Sequence, residues 1–476
     1  MSLEALALRV LLPSFAGPTL PEEWARLLGE GLGGICLFGS NLTGRAEDAR
    51  ALTDAVRRAR PGALVAVDEE GGDVTRLHAR TRSPVLGAAQ LGLVDDPALT
   101  TATGRAVAAD LVAAGIDLDL GPVADVNSHP DNPVIGTRSF GSDPGLVARH
   151  VVAWVSGLQA GGVAACVKHY PGHGATAQDS HLTLPLLDDP VDVLRSRDLP
   201  PFAAAVDAGV AAVMTSHISV PALDPDLPAT LSAAVLATLR EELGFEGAIV
   251  SDALDMAGAS GGRGIPAAAV LALAAGADLL CIGPDKEAAL VREIQTAIVD
   301  AVREGRLTEE RVADAARRVE GLRLVVGARG LDTSSPSGSD YSTTGGSDCS
   351  TADPAVARRA VVVEGGLPDL AGARVVSFDT PANIAVGDVP WGIDPDVVVA
   401  PGGALPDGPL VVQVRDAHRR PEVLAMIGAL PPTAVVVEWG WPGPYDGATA
   451  RICTRGSSRP MVAAVEDVLR GAGWSR

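Results

Sequence analysis

The chain has 476 residues, a net charge of −21 at pH 7, and 47% hydrophobic against 20% charged residues. Its length exceeds one ordinary core and predicts a large domain with a smaller one. The acidity excludes a phosphate backbone or an anionic membrane surface as partner, since both would be repelled.

The N-terminus, "MSLEALALRVLLPSFAG", is apolar but broken by Glu4 and Arg9 and lacks a basic start, so it makes a poor signal peptide. Eight strand-like runs follow in order: "LRVLLPSF", "GGICLFG", "ALVAVDEE", "IDLDLGPVADV", "VAACVKHY", "AAVMTSHI", "GAIVSDAL" and "ADLLCIG". Most are separated by alanine-rich helical stretches such as "AEDARALTDAVRRA". Near-continuous apolar strands alternating with helices predict a parallel sheet covered on both faces. Eight such units point to a (β/α)8 TIM-type barrel over residues 1–330, with a doubly wound open sheet as the competing fold.

Polar residues recur at the C-terminal ends of these runs. Asp68 and Glu69 follow "LVAV", Asp125 follows "GPVA", Lys168 and His169 follow "AACV", Ser216 and His217 follow "VMT", and Ser251 and Asp252 follow "AIV". In a barrel those ends meet at one mouth, where such folds keep their sites.

Residues 331–354, "LDTSSPSGSDYSTTGGSDCSTADP", are nearly free of large apolar side chains and read as a flexible linker. Beyond it, residues 355–476 repeat the βα theme in "ARVVSFDT", "PDVVVAP", "PLVVQVRDA" and "TAVVVEWG", which predicts a smaller three-layer α/β domain. Within it "VRDAH", with Arg415, Asp416 and His418, reads as an exposed loop, or as the edge of the cleft or of a dimer contact. The five cysteines are odd in number and scattered, without a CxxC pair, which suggests reduced core thiols and a cytoplasmic protein.

One stretch concentrates the chemistry. "CVKHYPGHGATAQDSH", Cys166 to His181, holds three of the eight histidines and one of the two lysines, the other being Lys286. Pro171, Gly172 and Gly174 make it a loop leaving the strand. Asp179 stands two positions before His181, a spacing that lets a carboxylate hold one imidazole nitrogen and leave the other for proton transfer. His169, His173, Asp179 and His181 are also possible zinc ligands, although the paired HxH common in barrel metal sites is absent. Asp252, at a strand end in "IVSDALDM", is placed to attack an electrophilic carbon, to ligate a cation or to cap the next helix. Acid–base pairs with Asp68, Arg76 and Arg138, and no GxGxxG or Walker loop, suit a ligand made of hydroxyls.

These residues resemble a family. "KHYPGHGATAQDSH" is similar to the signature of the β-N-acetylglucosaminidases of glycoside hydrolase family 3, and "SDALDM" to that family's nucleophile motif. "VDEEGG", "GTRSFG" and "GGICLFGSN" fall in the family's order, and the tail resembles its optional second domain. The resemblance implies Asp252 as nucleophile, His181 as general acid and base, and Asp179 as its orienting partner. It implies that Asp68, Arg76, Arg138, Lys168 and His169 hold sugar hydroxyls, with Tyr170 and Glu69 as small departures from the family's Phe and Gln.

The expectation is therefore a retaining, exo-acting enzyme on muropeptide fragments or short chito-oligosaccharides, needing no cofactor or metal, as monomer or homodimer. Phosphorolysis at the same site, a zinc-dependent barrel hydrolase and a non-catalytic sugar-binding protein are the alternatives.

Overall fold

The computed structural model describes residues 1–180, 183–327, 351–380, 382–400, 402–444, 447 and 449–476. The general acid expected at His181 and most of the expected linker lie outside the described residues.

Eight strands form the first sheet: β1 (Leu11–Leu12), β2 (Gly34–Leu37), β3 (Leu64–Val67), β4 (Leu118–Asp119), β5 (Ala164–Tyr170), β6 (Ala212–Thr215), β7 (Ala248–Ser251) and β8 (Leu279–Cys281). From β2 to β8 each strand pairs in parallel with the next in sequence, and β1 pairs with β8. The Cys36 amide donates to Pro13 O at 2.9 Å across the remaining gap between β1 and β2. The result is a nearly closed parallel α/β barrel, and the open-sheet alternative falls.

Side-chain alternation along the strands divides the core in two. Leu12, Cys36, Leu64, Ala66, Cys166, Ala212, Met214, Val250 and Cys281 fill the barrel interior, whereas Ile35, Val65, Val67, Val167, Val213 and Ile249 face the helices. Residues inside are small because eight strands leave little room, which accounts for three of the cysteines as buried thiols. The first run is shorter than its sequence suggests. Leu8 and Arg9 close the helix Leu3–Arg9, capped by Ser2, and β1 begins only at Leu11. "IDLDLGPVADV" likewise keeps just β4 plus a bridge from Val123 to Lys168, since Gly121 and Pro122 interrupt it.

The second domain holds β9 (Val362–Glu364), β10 (Arg374–Phe378), β11 (Val397–Val399), β12 (Leu410–Val414), β13 (Val435–Glu438) and β14 (Ala450–Cys453). Their spatial order is β9-β14-β13-β12-β10-β11, parallel except for β9. Val376, Val412 and Val436 meet the helix Pro421–Gly428 on one face, and Val375, Val411 and Val435 meet the helix Arg459–Gly471 on the other. This is the three-layer arrangement expected from the tail.

The two domains are joined by hydrogen bonds at the barrel's loops. Gln90 Nε2 donates to Gly456 O at 2.7 Å, Arg459 N to Ser83 O at 2.9 Å, and Ser457 N to Asp73 Oδ1 at 2.8 Å. At the opposite, stability end of the barrel, Asp278 is fully buried and receives Arg240, Arg311 and the Ile249 amide. Removing the carboxylate takes the counter-charge from the partly buried Arg240 guanidinium and leaves Arg311 with Asp314 alone. Asp278→Ala is expected to destabilise the barrel by about 3–5 kcal/mol, read as a lower urea midpoint for its unfolding transition.

Candidate active site

A cavity of about 440 Å³ opens at the C-terminal ends of the barrel strands. Asp68, Arg76, Arg138, Lys168, His169 and Asp252 all line it, so the structure brings six of the eight sequence-predicted site residues to one place. Asp179 lies on the neighbouring loop, half-buried, and is not part of the cavity wall. The next residue, Ser180, does line the wall.

At the centre is a buried cluster of charges that the sequence only half disclosed. Lys168 Nζ donates to Asp68 Oδ1 at 2.6 Å and reaches Glu70 Oε1 at 2.8 Å. Arg138 grips the same Glu70 through two bonds, Nε to Oε2 at 2.9 Å and Nη2 to Oε1 at 2.7 Å. Burial opposes charge on all of these groups, yet the partners outweigh it. Lys168 is held above the ordinary lysine range by Asp68 and Glu70, and the Glu70 carboxyl well below its own by Arg138 and Lys168.

The strand-end pattern of the sequence points to Glu69, but the residue that lines the cavity is its neighbour Glu70. Glu69 points away from the cavity and is 2% exposed, where it accepts the Arg76 and Leu77 amides and fixes the turn. It does not reach the mouth, where its strand-end position in the sequence had put it. Period-two alternation would have found the right residue, since Glu70 stands two positions after Asp68 and shares its side.

Histidines complete the wall. His169 Nδ1 meets Asp125 Oδ2 at 2.7 Å, and Asp125 Oδ1 accepts the His173 amide at 2.7 Å. Asp125 is thus a buried support behind the cavity and not a mouth residue; burial would raise its carboxyl, but His169 holds it below the usual range. A register irregularity between Val167 and Tyr170 breaks the alternation of β5 and lets both Lys168 and His169 reach the cavity. Gly174 lets the following loop lie against the barrel, because a Cβ there would come within 1.9 Å of Val126 O. His173 commits both ring nitrogens, one to Thr176 Oγ1 at 2.7 Å and the other to Ser180 Oγ at 3.0 Å. His173 is therefore not set up as a zinc ligand, and among the described residues no group of three metal-ligating side chains converges.

Three further strand-end residues turn out to be structural. Ser216 Oγ donates to Tyr170 O, His217 bonds Thr230 and Ala253 O, and Ser251 Oγ accepts the Cys281 amide. Asp252 is different: its Oδ1 accepts the Ala253 amide at 2.7 Å, it lines the cavity, and its charge is felt by His173. Asp255, one turn on, also lines the cavity and pairs with Lys286 at 2.7 Å.

The second domain supplies part of the wall through Ile384 and Ala385. Arg76 holds that segment in place by donating to Ala385 O at 2.7 Å and Val386 O at 3.4 Å. The sequence offered no signal for this contact across some three hundred positions.

Two outcomes follow. Glu70→Gln removes the charge shared by Lys168 and Arg138, and kcat/KM is expected to fall by roughly two orders of magnitude in steady-state assays. His173 is pushed down to about 4 by burial, below its ordinary 6.5, so it stays neutral when folded. The unfolded chain then binds the extra proton first, and the stability present above pH 6.5 is lost as pH falls toward 4. His173→Asn should flatten the pH dependence of unfolding across that window in denaturant titrations.

Comparison with known proteins agrees with this architecture. Residues 18–322 match the glycosyl hydrolase family 3 N-terminal domain. A β-hexosaminidase of Chromobacterium violaceum is 43% identical over 286 residues, covering 58% of this chain and 79% of its own. Over nearly the full length, the chain superposes on a family 3 β-N-acetylglucosaminidase from Paenibacillus sp. str. FPU-7 with a TM-score of 0.86 and 28% identity, covering 99% of this chain and 97% of that one. NagZ from Neisseria gonorrhoeae, solved in complex with N-trifluoroacetyl-D-glucosamine, matches with a TM-score of 0.56 and 34% identity, over 67% of this chain and 92% of its own. With the barrel, the cavity and the matched domain together, the chain belongs to glycosyl hydrolase family 3 and is a glycoside hydrolase.

Proposed function

We propose that the protein is a retaining, exo-acting β-N-acetylglucosaminidase that works through a covalent glycosyl-enzyme. The observation that carries the reading is Asp252 at the end of β7, lining the same cavity as the Asp68–Glu70–Arg138–Lys168 cluster and His169. An attacking carboxylate needs an electrophilic carbon held against it, and the cluster offers charged donors and acceptors for the hydroxyls of one sugar ring. The relatives named for β-hexosaminidase and β-N-acetylglucosaminidase activity support an N-acetylhexosamine as that sugar.

In the first step an Asp252 oxygen bonds to the anomeric carbon as the glycosidic C–O bond breaks, and the departing oxygen takes a proton from His181. In the second, the now neutral His181 takes a proton from water, which attacks the same carbon and releases Asp252. Asp179 orients the imidazole and favours its protonated form. Asp68, Arg76, Arg138, Lys168 and His169 hold the sugar. Lys168 suits this place because its compact ammonium fits between two carboxylates and still carries a third donor.

An exo mode fits a cavity walled on one side by Ile384 and Ala385, which accepts a chain end more readily than a chain middle. Muropeptide fragments and short chito-oligosaccharides are the proposed substrates, taken in the cytoplasm, where the buried free thiols Cys36, Cys166, Cys281 and Cys453 would stay reduced. Among the described residues, no helix is long and apolar enough to cross a membrane.

Hydrolysis of 4-nitrophenyl β-N-acetylglucosaminide, with the matching β-glucoside untouched, is the expected outcome. Asp252→Ala should lose at least roughly a thousandfold in kcat, and EDTA should change nothing. Proton NMR of the first-formed sugar should give the β anomer; the α anomer first, or activity abolished by chelation, would discard the retaining carboxylate mechanism.

A further inference from the structure

The second domain carries a cavity of its own. It measures about 670 Å³, within the range of small-molecule sites, and lies where β10, β11 and β12 end. The chain leaves β10 toward β11 on one side of the sheet and then crosses to β12 on the other. Loops leaving β10 and β12 therefore diverge, and open α/β sheets form their ligand crevices at such a point.

A buried cation sits in this crevice. Arg415, the first residue after β12, is 6% exposed and lines the cavity. Its backbone amide donates to Thr380 Oγ1 at 3.2 Å, but its guanidinium makes no hydrogen bond or ion pair among the described residues. The Trp391 ring lies beneath it at 4.5 Å and leaves its five donors unanswered. Burial depresses the guanidinium, and the distant carboxylates of Asp73, Asp416 and Glu438 offset it only in part. Those carboxylates already serve other donors: Asp73 accepts from Thr137 and Ser457, Asp416 from Trp441, and Glu438 from the amides of Asp416, Ala417 and Gly440. A buried charge left this way is costly unless something arrives to meet it.

We propose that this crevice is a second ligand site, which takes a small molecule through a single carboxylate or phosphate group received by Arg415. The rim limits the choice. Asp379 and Asp388 are exposed at the mouth, and Asp394 is paired with Arg82 at 2.8 Å. Such a rim repels a polyanion but tolerates one oxyanion on a neutral or cationic body. Trp391 and Phe378 offer that body apolar surface. Ile384 lines both this crevice and the barrel cavity, so a ligand here would press on the wall of the glycosidase site without entering it.

The test is calorimetric titration of the full chain with inorganic phosphate and, separately, with acetate, at constant ionic strength and with saturating N-acetylglucosamine. Saturable binding of at least one probe, with Kd on the order of millimolar, is expected. Arg415→Gln should weaken it by roughly tenfold or more, and Arg415→Lys by less. Which probe binds distinguishes carboxylate from phosphate. Cooperative thermal unfolding checks that the variants fold. Should Arg415→Gln not fold, the wild-type tryptophan emission is followed during the same titration, with Trp391→Phe assigning the change to Trp391. Wild type that binds neither probe, equal binding by folded Arg415→Gln, or emission that Trp391→Phe leaves unaltered would overturn the proposal and leave Arg415 as a strut against Trp391.

Discussion

The site is organised by one buried carboxylate, Glu70, shared between Lys168 and Arg138. Alone, any of the three would be too costly to bury. Together with Asp68 they form an alternating array whose members come from β3, β5 and the long loop after β4, so the cluster exists only once the barrel closes. That dependence makes the array rigid, and rigidity is what a sugar site needs when hydroxyls must be held within hydrogen-bond tolerance. It also accounts for a lysine in a chain that otherwise prefers arginine. A point charge with three donors fits between two carboxylates inside a strand end, where a planar fork would not.

The second layer of support is histidine–aspartate. Asp125 holds His169 and the His173 amide from behind the wall, and His173 holds Ser180 on the loop before His181. A neutral, doubly hydrogen-bonded His173 lets that loop approach the cavity without adding a charge. The loop is thus anchored at Ser180, whereas Asp252 stands on a strand end. In the mechanism proposed above, the fixed partner would bond to carbon and the loop-borne one would handle protons, a division that suits one step needing alignment and two needing exchange with solvent.

The second domain is more than an appendage. It closes one side of the barrel cavity through Ile384 and Ala385, and Arg76 fastens that wall by its carbonyls. Arg76 therefore has a structural duty beside any contact with substrate. The same segment borders the crevice around Arg415, which gives the domain a route by which occupancy there would be felt at the barrel mouth.

Much of this was legible before folding was considered. The alternation of apolar runs and alanine-rich helices determined a parallel sheet, because only a sheet covered on both faces tolerates such strands; eight units and the polar strand ends pointed to a barrel and its mouth, and the closing of the sheet decided it. The motif around Lys168 and His169 and the strand-end Asp252 named residues that do meet in one cavity. What the sequence left undecided was which strand-end polar groups look inward. Ser216, His217, Ser251 and Asp125 read like Asp252 along the chain, yet they satisfy buried partners. Likewise Glu69 and Glu70 are adjacent and chemically identical, and only the strand's facing sends one to a turn and the other to the site. The second-domain wall and the surroundings of Arg415 belong to tertiary structure altogether, because sequence periodicity reports a residue's own element and carries no record of which distant carbonyl, ring or cavity it will face.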